Sequence, residues 1–239
     1  MARGSGQNTM ETKALTVADL VEMVDQDAWY ATEAKHQRKI EQAQDAKGGA
    51  PRMTRLERNY SKYFDLPKWL KYHLRNAQQI RADTAEAPQR ILDVGCGSGL
   101  FLFVCKCFGH DVTGIDVDSP MYADMARVLG VPVVPTYVRP MEPLDGPFEG
   151  YDWITAIAIK FDREDFGSNR REPWRLEEWQ FFLRDLAGRL NPGGHIYIKP
   201  NLLANEAPFD DPAVIAFLHE TASEVLEPLA FIIPKDRLA

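Results

Sequence analysis

The sequence is poor in cysteine, with three residues in 239, and has no apolar run near the ~18 residues that a membrane-spanning helix requires. Arg3 near the amino terminus is followed by no hydrophobic stretch, so neither a signal nor a membrane span is expected and a cytoplasmic address is. Cys96, Cys105 and Cys107 are too few and too clustered to staple a fold of this size, and reduced thiols are expected. No nearby His or further Cys completes a ligand set around the Cys-x-Cys pair, and residues two apart on a helix do not share a face, so no metal is expected. Internal repeats and low-complexity segments are also missing. The remainder has ordinary globular values: 45% hydrophobic, 10% aromatic and 26% charged residues, net charge -7. Disorder, collagen and coiled-coil rods are thereby excluded for the bulk of the chain.

The net charge hides an uneven distribution. Residues 1–32 hold 2 basic and 5 acidic groups, residues 33–90 hold 13 and 7, and residues 91–239 hold 13 and 23, or -3, +6 and -10. A boundary near Arg90 therefore separates a helical amino-terminal arm or cap, 1–89, from a catalytic-type domain, 90–239. In the arm, Thr16 with Asp19 reads as a capping box, and Val17, Leu20, Val21, Val24 and Ala28 recur at helical spacing. One helix is expected as far as Asp45, then a second from Thr54 to Arg81, broken at Pro67.

From Arg90 onward, short apolar strands alternate with helices. Strands are expected at Arg90–Val94, Asp111–Ile115, Val131–Pro135, Tyr151–Ile159, His195–Lys199 and Leu226–Ile233. Helices are expected at Leu100–Phe108, Pro120–Leu129, Arg175–Leu190 and Pro212–Val225. This βαβα order predicts a doubly wound, mostly parallel α/β sheet with ligands at the carboxyl ends of its strands.

Ile91-Leu92-Asp93-Val94-Gly95-Cys96-Gly97-Ser98-Gly99 joins the first strand to the first helix. Glycines at alternate positions let the backbone turn tightly and approach a ligand at the positive end of the helix. A dinucleotide fingerprint, G-x-G-x-x-G, would need its third glycine where Leu100 stands. Asp93 in the turn also disfavours a pyrophosphate and favours a ligand bearing an ammonium and a sulfonium. Asp116, ending Val112-Thr113-Gly114-Ile115-Asp116, can accept two ribose hydroxyls on its two oxygens.

D-x-G-x-G-x-G after a strand, then a strand ending in Asp, resembles the class I S-adenosylmethionine-dependent methyltransferases over roughly residues 90–200. The resemblance implies the Rossmann-like methyltransferase fold with an amino-terminal helical extension, and S-adenosyl-L-methionine as cofactor. It implies that Asp93, Gly95, Cys96, Gly97 and Gly99 surround the methionine part, that Asp116 holds the ribose and that Val117 packs on adenine. The usual adenine-binding Asp has no counterpart, since Pro140 stands there, so Met141 or Arg139 is expected to serve instead. Ile157, at the end of the fourth strand, is placed beside the reacting methyl. Pro192-Gly193-Gly194 is a structural turn, and His195 a structural residue.

Methyl transfer from a sulfonium is an in-line displacement whose leaving group is already activated, so alignment is the main task, and a base is needed only for a hydroxyl or a protonated amine. Asn/Asp-Pro-Pro-Tyr/Phe is lacking at the fourth strand's end and a Pro-Cys pair is lacking throughout, which argues against base amino-group and cytosine C5 methylation. Lys199 ends the fifth expected strand where ribose-methylating relatives place a lysine, but Ile157 stands where their partner Asp would be. Lys160, Asp162, Arg163, Lys199 and Asn201 are the candidates for acceptor contact or base. The reading favoured is O-methylation of a small molecule or sugar. An RNA or protein acceptor bound by the basic arm, and a non-catalytic cofactor-binding subunit, are the alternatives. Among partners, a nucleic acid is less favoured than a small acceptor, because the arm's cations are interleaved with acids and suit a cap on the acidic domain.

Overall fold

The Thr16 hydroxyl accepts the Asp19 backbone N–H while the Asp19 carboxylate takes the N–H of Thr16, and this reciprocal pair starts α1 (Val17–Glu22). Apolar spacing continues beyond Glu22, but the helix does not. Asp25 accepts the N–H of Ala28 at 3.0 Å and opens α2 (Gln26–Asp45), so the single helix expected here is two. Val24, in the break, remains buried, which is why the periodicity concealed it. The computed structural model describes residues 15–45, 60–159, 161–164, 171–201, 211–227 and 229–238. The helix start expected at Thr54 lies outside them. A 3-10 turn (Tyr60–Phe64) leads into α3 (Leu66–Gln79), where Pro67 occupies the first turn instead of breaking a helix. An N–H is not needed in that turn, and Asp65 caps it by accepting from Lys68.

The α/β part runs β1 (Arg90–Val94), α4 (Leu100–Cys107), β2 (Asp111–Asp116), α5 (Pro120–Val128), β3 (Val133–Pro135) and β4 (Tyr151–Ile157). A small antiparallel pair, β5 (Asp162–Glu164) and β6 (Arg171–Pro173), stands apart from the main sheet. Then come α6 (Leu176–Arg189), β7 (Leu190–Lys199), α7 (Pro212–Thr221), β8 (Glu224–Leu226) and β9 (Ala230–Pro234). The seven-stranded sheet has the order β3-β2-β1-β4-β7-β9-β8. Strands β3 to β7 in that order pair in parallel, and β9 runs antiparallel to both β7 and β8. The doubly wound, mostly parallel α/β architecture is therefore present.

Four strand expectations need correction, the first being β3, which begins at Val133 and not at Val131. β4 ends at Ile157, because Ala158 takes a φ of 57°, which no strand residue adopts. β7 begins at Leu190, five residues before His195, with the Pro192-Gly193-Gly194 segment absorbed as a register shift opposite Tyr151 and Trp153. The last expected strand is a hairpin of β8 and β9, and α7 stops at Thr221 because Ala222 is already extended.

Side chains alternate across the sheet as the strand period demands. Ile91, Trp153, Tyr197 and Ile232 face one layer, with α1, α3, α4 and α5; Leu92, Ile154, Ile196 and Phe231 face the other, with α6 and α7. Leu20, Leu66 and Leu70 from the amino-terminal helices are fully buried in the first layer beside Phe101 of α4. Burial of each contributes about 1.5–3 kcal/mol. The ion pairs from the same region, Lys35 with Asp124 at 2.5 Å and Arg81 with Glu224 at 3.0 Å, involve exposed cations and add little by comparison. No helix among the described residues is long and apolar enough to cross a membrane.

Candidate functional site

The glycine turn is tied to the end of β2. The N–H groups of Gly95 and Cys96 both donate to Ile115 O, at 2.7 and 3.0 Å. Gly97 N–H donates to Asp116 Oδ2 at 2.6 Å, and Val117 N–H to Oδ1 at 2.7 Å. Gly95, Gly97 and Gly99 all have positive φ, at 71°, 54° and 78°. Of the three, Gly95 is also sterically obliged to be glycine, since a Cβ there would lie 2.4 Å from Ile159 Cδ1. Because three N–H groups of the turn are already spent on β2, few remain for a pyrophosphate.

Around this turn lies a hollow of about 270 Å³, and a second of about 290 Å³ adjoins it at Asp116, Val117 and Tyr122. Gly95, Gly97, Asp116 and Val117 line the first, as the sequence suggested; Asp116 is its sole charged lining residue among those described. Burial raises the Asp116 carboxyl, against the two N–H groups that lower it. Each Asp116 oxygen keeps a lone pair beyond the N–H it accepts, and the methyl position over Gly97 is open to 3.9 Å, where Tyr122 stands. A ligand with a ribose and a cationic centre fits such a place, whereas a pyrophosphate in the first hollow would meet an acid and, among the described lining residues, no cation.

Five expected cofactor contacts fall elsewhere. Asp93 is 2% exposed, accepts from the Thr155 hydroxyl at 2.6 Å and does not line the hollow. Burial pushes its carboxyl up to about 8, while Thr155 works the other way and Asp116 adds to the rise. It lies inside the sheet and not on the wall of the hollow, with burial disfavouring its charged form. Cys96 turns its sulfur onto β2, where a Cβ on Gly114 would sit 2.5 Å from Sγ, and burial raises its thiol. Gly99 packs against Val131 and Ala126 as the N-cap of α4. Met141 is 52% exposed and away from the hollow, and Arg139 pairs with Glu142 at 3.5 Å; Thr136, Tyr137 and Val138 line the wall in their place. Ile157 points into the α3–α4 layer, leaving Ala158 and Ile159 to line the hollow.

Sequence reasoning also missed Tyr122, in the first turn of α5, and the aromatic pair Phe161 and Trp174, ring centroids 4.8 Å apart. Tyr122 was legible in principle, two residues after the proline that opens the helix following Asp116. Phe161 and Trp174 flank the β5–β6 pair and meet only in three dimensions.

A third cavity, of about 550 Å³, opens between α3 and the end of β7. Lys199 lines it, 5% exposed, its Nζ donating to Asn76 Oδ1 at 2.6 Å and lying 3.4 Å from Gln79 Oε1 and 4.9 Å over the Tyr72 ring. Burial, with Arg75 nearby, lowers the amine to about 8. Asn201 lines the same cavity. Of the other acceptor candidates, Lys160 lies outside the described residues, and only the backbone of Asp162 and Arg163, in β5, is described. His195 stacks on Trp153 at 5.0 Å, as a structural residue would. Ala158 belongs to both this cavity and the first hollow.

Comparison with known proteins adds a family. Residues 92–161 match the family model described as a methyltransferase domain. Among solved structures, the chain is similar to CalS10, an amino pentose methyltransferase from Micromonospora echinaspora involved in calicheamicin biosynthesis, at 24% identity over 58% of this chain and 53% of that one, TM-score 0.42. It is also similar to DesVI from Streptomyces venezuelae, at 20% identity over 59% and 54%, TM-score 0.41. A third is a putative class I S-adenosylmethionine-dependent methyltransferase from Listeria monocytogenes, at 13% identity over 68% and 58%, TM-score 0.43. The chain thus spans little more than half the length of the first two. No curated protein matches it. The glycine turn, the acid that ends β2 and the match to a methyltransferase domain over residues 92–161 all fall on the same strands.

Proposed function

We propose that the protein transfers a methyl group from S-adenosylmethionine to a hydroxyl of a small molecule or sugar. The observation that carries this reading is Ala158, which lines both the hollow around Asp116 and the cavity beneath α3. Donor and acceptor held in two hollows that share one small lining residue can be brought into line, which is the main demand of the displacement. When bound, the cofactor supplies a methyl group activated by the positive sulfur.

The chain's own residues do the rest. Asp116 would accept the ribose hydroxyls on its free lone pairs, and Val117 and Tyr137, 48% and 57% exposed, would flank the adenine. Phe161 and Trp174 would exclude water from the wall they share with Ile159. Lys199 would take the hydroxyl's proton. As a neutral amine it can donate to Asn76 and Gln79 and still offer its lone pair, and its lowered proton affinity puts that form within reach near neutral pH.

Calorimetric titration of S-adenosylhomocysteine, with NAD in parallel, tests the cofactor half directly. The first should bind and the second should not. Asp116→Ala should weaken the first by about 1.5–3 kcal/mol, the value of hydrogen bonds to a charged acceptor. Equal affinity in the variant would mean that the ribose lies elsewhere.

A further inference from the structure

The cavity beneath α3 has a charge pattern that the reading above does not use. Lys68, Lys71 and Arg75 follow one another at helical spacing on α3, and Lys199 reaches the same space from the end of β7. Of its nine lining residues among those described, four are cationic and none is acidic. Elsewhere on this net acidic chain, several described cations have carboxylate partners, Lys35 and Arg127 on Asp124, Arg81 on Glu224 and Arg189 on Asp185, and others bond to backbone carbonyls, as Lys106 does to Gly130 O and Lys235 to Leu190 O. Among the described residues, no carboxylate lies within ion-pair distance of Lys68, Lys71, Arg75 or Lys199. Like charges gathered in a concave wall raise its potential and favour an anion.

The aromatic lining limits the shape of that anion. Trp69 and Tyr72 stand beside the cations, ring centroids 5.8 Å apart and edge to face, offering flat apolar surface. A volume of about 550 Å³ suits a one- or two-ring molecule. Among the described cations of the arm, Lys35 and Arg81 are paired with acids of the α/β part.

We infer that the acceptor is a small ring compound bearing a carboxylate or phosphate, its ring against Trp69 and Tyr72 and its acid held by Lys68, Lys71 and Arg75. Lys199, deeper and next to Ala158, is left for the reacting hydroxyl. Among the described lining residues, the two hollows then have opposite character, an acid and no cation around the donor, cations and no acid around the acceptor. This inference rests on the methyl-transfer reading.

The test uses the full chain saturated with S-adenosylhomocysteine and two matched pairs of probes, benzoate with benzamide and glucose 6-phosphate with glucose. Calorimetry should show the acid of at least one pair binding about tenfold or more tighter than its neutral partner, as charge-assisted contacts require, with the difference shrinking at high salt. In Lys71→Gln with Arg75→Gln, both exposed on α3, that preference should fall to about one while S-adenosylhomocysteine affinity is unchanged. No preference for either acid in the wild type, or a preference that survives the double substitution, overturns the inference. Failure of S-adenosylhomocysteine to bind the wild type would instead overturn the methyl-transfer reading, and the inference with it.

Discussion

A methyl group added at Gly95 and one added at Gly97, two residues along the same turn, would meet different surroundings. At Gly97 the nearest atom is 3.9 Å away, so Gly97→Ala suffers only its left-handed backbone, at about 1–2 kcal/mol. At Gly95 the same backbone term is joined by a collision with Ile159, 2.4 Å from the new carbon, for a total of about 2–4 kcal/mol. Urea denaturation of the two alanine variants should rank them in that order. Equal losses would show that Ile159 is free to leave the wall of the hollow. Gly114 belongs to the same set, because its missing Cβ is the space that Cys96 occupies. A glycine within a strand was visible in the sequence; that it serves a side chain of the neighbouring turn was not.

The capping box is the element-scale feature that sequence and structure share most directly. Thr16→Ala removes one half of it and should cost about 1 kcal/mol, read from the denaturation midpoint, without altering the sheet. Patterns confined to one element and its cap were legible in this way: β1, the glycine turn, α4, β2 and α5 begin or end within a residue or so of expectation. What failed depended on a partner. The break at residues 23–25 is set by the Asp25 cap and masked by Val24, whose burial keeps the apolar rhythm going. The start of β7 at Leu190 needs Tyr151 opposite it, and the β8–β9 hairpin needs β7 as a template. At the site the same division holds. Asp116 and the glycines could be read from one short stretch, but whether Asp93 faces ligand or Thr155 depends on β4, sixty residues away.

At the scale of the molecule, the amino-terminal helices are joined to the α/β part by apolar packing, by hydrogen bonds such as Lys199 to Asn76, and by an acid on α5 that gathers three partners. Asp124 on α5 receives Lys35 and His36 from α2 and Arg127 from its own helix. Burial works to raise its carboxyl, but hydrogen bonds from Lys35, Arg127 and His36 outweigh it and hold the group below the usual carboxylate range. A carboxyl depressed on folding adds stability above its unfolded value, near pH 4, and loses that contribution as pH falls toward the folded value. Asp124→Asn should therefore be less stable than wild type at pH 7, and the two should converge in denaturation midpoint as pH is lowered below about 4. A gap that stayed constant with pH would assign the difference to packing instead.

The position of β9 matters to the chain while it is being made. Four parallel pairings and the glycine turn involve only residues up to Lys199, yet the slot between β7 and β8 is filled by Ala230–Pro234. Until those residues leave the ribosome, β7 has an open edge, and Ile196 and Ile198 lack Phe231 and Ile233 beside them. An isolated segment ending at Lys199 would therefore leave β7 as an open template edge, and Ala230–Pro234 is the strand that covers it.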